Sequence, residues 1–143
     1  MIAADANLWL YRLIESDKTA LAKRVWERDN EWKTAILCLY EVVNALCTYQ
    51  RVGKLTLSQC SELLQRVTLQ LEPAIQEIDL SLTVKLAAQY RVSGYDAQYL
   101  ALAKTLNIPL VTEDRKLRQA VPNLTLSMSA FLVQKQENNT SKP

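Results

Sequence analysis

The stretch from Ser93 to Leu117, SGYDAQYLALAKTLNIPLVTEDRKL, decides the fold. Residues 96–106 predict a helix with an acid, Asp96, at its opening. Residues 109–112 then read as a short buried strand, with Leu110 and Val111 apolar. Glu113 and Asp114 follow at its tip, before a basic helical segment over 114–120. Helix, strand and helix in succession, with a carboxylate where the strand ends, is the repeating unit of an α/β fold.

The same alternation continues outward. IAAD (2–5) predicts a short first strand ending at Asp5, then a helical segment with Trp9, Leu10 and Leu13. Residues 17–30 predict a charged amphipathic helix with Ala20, Leu21, Val25 and Trp26 on its inner face. TAIL (34–37) reads as a second strand, and 38–51 as a helix apolar nearly all round, ended near Gly53. Thr56 can cap a further helix over LTLSQCSELLQRVTLQL (55–71). Its Leu57, Cys60, Leu64, Val67 and Leu71 share one face, read as core with a dimer seam as the alternative. Pro73 breaks the chain, AIQEID (74–79) is a weaker third strand, LSLTVKLAAQYRV (80–92) is helical up to Gly94, and LTLSM (124–128) closes the set. The fold class expected is α/β: a three-layer α/β/α sandwich around a central, mainly parallel sheet. The folded domain is placed at 1–132, with a polar tail over 133–143 read as disordered.

Composition removes several chemistries. The chain has 143 residues, one domain's worth, and no histidine. Ser-His-Asp hydrolysis, His-paired cysteine nucleophiles and His-rich zinc sites are therefore excluded. Cys38, Cys47 and Cys60 lack metal-type spacing and read as reduced core residues of a cytoplasmic protein. With only Gly53 and Gly94, there is no glycine-rich phosphate loop. The longest apolar run, Ala35–Tyr40, is far short of the ~20 residues of a spanning helix, so no membrane association is expected. MIAADANLW has no basic region, and no secretory leader is read there. A net charge of +2 names no partner.

In a parallel α/β sheet, helix N-termini share an edge with strand C-termini, and ligands bind at that edge. Asp5, Glu41, Asp96 and Asp114 all belong to it. Singly each has a plainer reading: Asp96 and Asp114 as helix caps, Asp5 as a turn residue. Glu41 is harder to dismiss, being the one charged residue between Ala35 and Tyr49, with Asn44 and Thr48 on its face. A buried carboxylate there needs a cation, either a distant arginine or a metal. Four carboxylates at one edge repel, and a divalent ion relieves that conflict. Oxygen ligands alone point to Mg²⁺ or Mn²⁺, and such a site suits phosphodiester hydrolysis. Arg115, Lys116 and Arg118 could hold RNA phosphates, or could form a solvated helix face.

On IAADANLWLY, LYEVVNAL and SGYDAQYLALAKTLNIPLVTEDRKL together, in that order and spacing, residues 1–132 resemble the PIN-domain ribonucleases, and among them the VapC-type toxins of toxin–antitoxin pairs. The resemblance implies Mg²⁺- or Mn²⁺-dependent endonucleolytic cleavage of RNA, a homodimer and a cognate antitoxin. It implies that Asp5, Glu41, Asp96 and Asp114 are the catalytic, metal-holding quartet and that Thr112 supports them. Asn44 shares the face of Glu41, and Asn7 stands where the family often has a small hydroxyl residue. A haloacid-dehalogenase-like phosphatase would need an acid where Asn7 stands, and a phosphoacceptor receiver an acidic pair that DAN lacks. A PIN-like module that binds RNA or protein without cutting is the alternative kept.

Overall fold

The computed structural model describes residues 1–134. In chain order these form β1 (Ile2–Ala4), α1 (Ala6–Leu13), α2 (Thr19–Arg28), β2 (Trp32–Ala35), α3 (Leu37–Arg51) and α4 (Leu57–Leu71). A 3-10 turn at Glu72–Ala74 leads to β3 (Ile75–Gln76), α5 (Leu80–Tyr90), α6 (Gly94–Leu106), β4 (Leu110–Val111), α7 (Arg115–Ala120), β5 (Thr125–Leu126) and α8 (Met128–Val133). The sheet runs β3-β2-β1-β4-β5, and every pairing is parallel. Helices flank it as the expected α/β/α sandwich. The first two crossovers step from β1 to β2 to β3, and the third returns past both to reach β4. Right-handed crossovers in opposite directions place their helices on opposite faces. Strand order therefore reverses between β1 and β4, where a crevice opens at the carboxyl ends.

Short strands suffice because both faces are covered. Ile2, Ala3, Ala4, Leu110 and Val111 have no exposed surface. Beside β1 and β2, Trp9, Trp26 and Trp32 meet edge to face, with centroids 5.1 to 6.1 Å apart. The Arg12 guanidinium lies 3.8 Å from the Trp26 ring centre. Such aromatic pairs add roughly 0.5–1.5 kcal/mol each beyond the area they bury.

Several sequence expectations are corrected. The second strand is 32–35 and not 34–37: burying Trp32 in the tryptophan cluster pulls the strand forward, and Leu37 already begins α3. The first strand stops at Ala4, since Asp5 turns outward to cap α1. Ala20 is exposed while Thr19, Ala22 and Val25 are buried, a shift of the inner face of α2. α3, though apolar nearly all round, is not covered all round: Tyr40, Val43 and Cys47 face outward, as does Ile36 just before it. Cys47 is thus no core residue, though Cys38 and Cys60 are. Leu57 leaves the core face of α4, which is capped by Thr56 in a reciprocal box with Gln59. α5 ends at Tyr90 with Arg91 in the left-handed region, well before Gly94. Leu124–Met128 shrinks to two strand residues, and Ser127 caps an unforeseen helix that runs to Val133. All but the first two residues of the tail expected at 133–143 lie outside the described residues.

Candidate active site

At the crevice, the first residue after β1 is Asp5. Its backbone is extended, so its carboxylate caps α1, with Oδ1 accepting from the Leu8 N–H at 3.3 Å. Oδ2 accepts from the Thr112 hydroxyl at 2.6 Å. Thr112 is the first residue after β4 and is fully buried. Its oxygen also accepts the Asp114 N–H at 3.1 Å. One hydroxyl therefore joins the tips of the two strands between which the sheet reverses. Asp114 in turn caps α7, with Oδ1 accepting from the Leu117 N–H at 3.0 Å.

Asp96 is no cap. Ser93 caps α6 by accepting the Asp96 N–H at 3.0 Å, which leaves the Asp96 carboxylate free in the first turn. There the helix dipole favours a negative charge. Glu41, one turn into α3, is partly buried and accepts a hydrogen bond from the Tyr99 hydroxyl. A distant arginine is not its partner. Among the described residues none of these four acids makes an ion pair; the acidic residues that do are Asp29 and Glu113.

All four acids line one open cavity of about 680 Å³, together with Asn7 and Asn44. Leu10, Leu37, Tyr40, Tyr95 and Tyr99 supply its apolar and aromatic walls, and among the described residues no lysine or arginine contributes. Burial pushes Asp5 up to about 6, against bonds from Thr112 and Leu8 that lower it, while Glu41 and Asp96 add repulsion. Burial also raises Asp96, followed by the charge of Asp114, with Ser93 opposing. Beneath Glu41, the buried Cys38 thiol is pushed up to about 12 by desolvation. These are the marks of carboxylates gathered without a counter-charge.

The basic residues after Asp114 stand apart. Arg115 and Lys116 are exposed on α7, and none of the three lines the cavity. Arg118 lies 3.6 Å from the Glu113 carboxylate, which also faces Lys18 at 3.9 Å. Sequence reading passed over Tyr99, although it lies at i+3 from Asp96 and so on the same helix face. Tyr40 and Tyr95, each immediately before an acid, were passed over too.

The donor set fits a hard divalent cation. It is oxygen-only and anionic: Asp5, Glu41 and Asp96 are partly buried, Asp114 is exposed, and none has a cation partner among the described residues. No three acidic or cysteine side chains among the described residues stand close enough to ligate one ion together. Mg²⁺ tolerates this, because it keeps several waters and uses one or two carboxylates.

A family model for the PIN domain matches residues 2–121. Ribonuclease VapC3 of Pyrobaculum aerophilum is 28% identical over 127 residues, 86% of this chain and 96% of that protein. The crystal structure of a Pyrobaculum aerophilum protein has a similar fold, with a TM-score of 0.73 at 22% identity over 92% of both chains.

Proposed function

The chain belongs to the PIN-domain family, and from that membership we propose that it is a metal-dependent endoribonuclease, the toxin of a toxin–antitoxin pair. The observation that carries this reading is the gathering of Asp5, Glu41, Asp96 and Asp114 from four separate elements around one cavity, with no cationic partner among the described residues. The ribonuclease name of the Pyrobaculum aerophilum relative supports it.

Asp5, Asp96 and Asp114 would hold Mg²⁺ or Mn²⁺ between them, one or two directly and the rest through the ion's waters, with Glu41 acting directly or through water. When bound, the cation acidifies a water and neutralises charge developing on the phosphate. The chain's own contribution is placement. Thr112 holds Asp5 and the backbone of Asp114 in one register. Tyr99 fixes Glu41, which is then positioned to take a proton from a water attacking the phosphorus. Asn7 and Asn44, on the cavity wall, are placed to hydrogen-bond substrate or water. Arg115 and Lys116 are exposed and available to an approaching phosphate backbone.

A homodimer, a small antitoxin and a cytoplasmic setting complete the reading. No helix among the described residues is long and apolar enough to cross a membrane. Support for the dimer comes from α3 and the residue that precedes it, where Ile36, Val43 and Cys47 face outward at spacings of seven and four. That is the pattern of a helix seam. Sedimentation showing only monomer at micromolar concentration would remove the dimer. For the enzyme, purified chain is incubated with a mixed RNA pool in Mg²⁺. Fragments that vanish in chelator and in the Asp96→Asn variant are expected. RNA that is bound yet stays intact supports the non-cutting module instead.

A further inference from the structure

The chain has six tyrosines, and four of them are engaged. Lys18 lies 6.0 Å from the Tyr11 ring centre and Lys54 lies 4.7 Å from that of Tyr49. Tyr90 packs against the core, and Tyr99 is buried against Glu41. Tyr40 and Tyr95 differ: they are 64% and 66% exposed. Among the described residues neither ring pairs with an aromatic or a cation, and neither hydroxyl is hydrogen-bonded.

Both rings nevertheless line the acidic cavity, and they come to it from different helices. Tyr40 precedes Glu41 on α3, and Tyr95 precedes Asp96 on α6. Two open aromatic faces therefore flank the carboxylates. Among the described residues no basic side chain lines the cavity, so a nucleic-acid backbone gains no cation from them there. Beyond a bound cation and the hydrogen bonds open to Asn7 and Asn44, the further attraction available inside the cavity is to the bases. Every base has an apolar face that stacks on an aromatic ring, whatever its sequence. In a duplex those faces are already stacked within the helix.

On the premise that this cavity cuts RNA, we propose that Tyr40 and Tyr95 are stacking platforms for the two bases that flank the cleaved phosphodiester, one ring to each side. Hydroxyls are not required, only rings. A protein partner covering α3 could use Tyr40 with Ile36 and Val43, but it leaves Tyr95, on α6, without a role.

The test uses the full chain and a short single-stranded RNA of mixed sequence carrying 2-aminopurine, whose fluorescence falls on stacking. Binding is followed in Ca²⁺ and in chelator. Tyr40→Leu and Tyr95→Leu are each expected to weaken binding about 10-fold and to relieve the quenching. Tyr40→Phe and Tyr95→Phe keep the ring and should keep the quenching. An abasic site at the labelled position should weaken wild type similarly and add nothing in the matching Leu variant. The same sequence as a duplex should bind at least about 10-fold more weakly. Leu variants that bind and quench like wild type overturn the proposal, as does a duplex that binds equally well. So do Leu variants that change only the sedimentation of the protein, which would assign the rings to a protein interface. If wild type cuts the RNA pool in Mg²⁺ while the Leu variants are unaffected, stacking fails and the ribonuclease reading stands. If wild type neither binds nor cuts, both fail.

Discussion

Thr112 has a single hydroxyl, and two acids depend on it. It donates to Asp5 and accepts from the backbone of Asp114, while fully buried. Thr112→Val keeps the shape and strands the Asp114 N–H, at a cost of about 1–3 kcal/mol. It should also lower RNA cleavage by freeing Asp5, and Thr112→Ser should restore both properties. A Thr112→Val protein that melts and cuts like wild type would show that the shared hydroxyl does not position the acids. Glu41 offers a second decision at this scale. Because Tyr99 and not a cation holds it, Glu41→Gln retains an oxygen acceptor and strands no buried charge. The metal-free variant should melt no lower than wild type, while calorimetric titration shows weakened Mn²⁺ binding and cleavage falls strongly. A drop of many degrees in the metal-free melt would instead reveal a cationic partner for Glu41. The isolation of Glu41 among apolar residues was legible in the sequence. Its partner was not, because Tyr99 is 58 positions away and only packing of α6 across the sheet brings it near.

At the scale of elements, α7 has only six residues and one side-chain cap, Asp114. A helix that short needs its cap, because its first N–H groups have no partner within it. Asp114→Asn preserves the cap and should leave the melting temperature nearly unchanged while abolishing cleavage. Asp114→Ala removes both, and should lower stability by about 1 kcal/mol, roughly 2–4 °C for a chain of this size. If Asn were as damaging to the fold as Ala, charge at this position would serve the helix and not a metal. Strand boundaries were the least legible elements. TAIL (34–37) has better strand composition than WKTA (32–35), yet Trp32 is worth more in the tryptophan cluster than Leu37 is in the sheet. The outward face of α3 was not legible either, because apolar composition cannot say whether a face is covered.

For the whole molecule, the gathered acids set how stability depends on pH. The folded pKa of Asp5 is about 6, above its ordinary value of 3.8. Between those limits the folded state binds more protons than the unfolded one, so stability falls as pH rises through that window and levels off above it. The loss is at most ~3 kcal/mol from this group. Metal-free melts between pH 4 and 7 should show that slope in wild type and a shallower one in Asp5→Asn, which cannot ionise. Mg²⁺ or Mn²⁺ should oppose the loss, with a larger stabilising shift at pH 7 than at pH 5, since binding requires ionised carboxylates. Equal slopes in wild type and Asp5→Asn would count against a repelling cluster around Asp5. The α/β alternation, a mainly parallel sheet and the edge to which Asp5, Glu41, Asp96 and Asp114 belong were readable from the residues alone, because strand tips and helix starts follow from local pattern and short connections. Composition also ruled out histidine chemistry outright. It took the folded chain to bring Thr112 between two strand tips, Tyr99 onto Glu41 and Arg118 beside Glu113, and to leave Tyr40 and Tyr95 open beside the acids. Each of those facts depends on a contact or an exposure set between residues far apart in the chain, and local periodicity carries no information about which distant side chain will arrive to cover a given face.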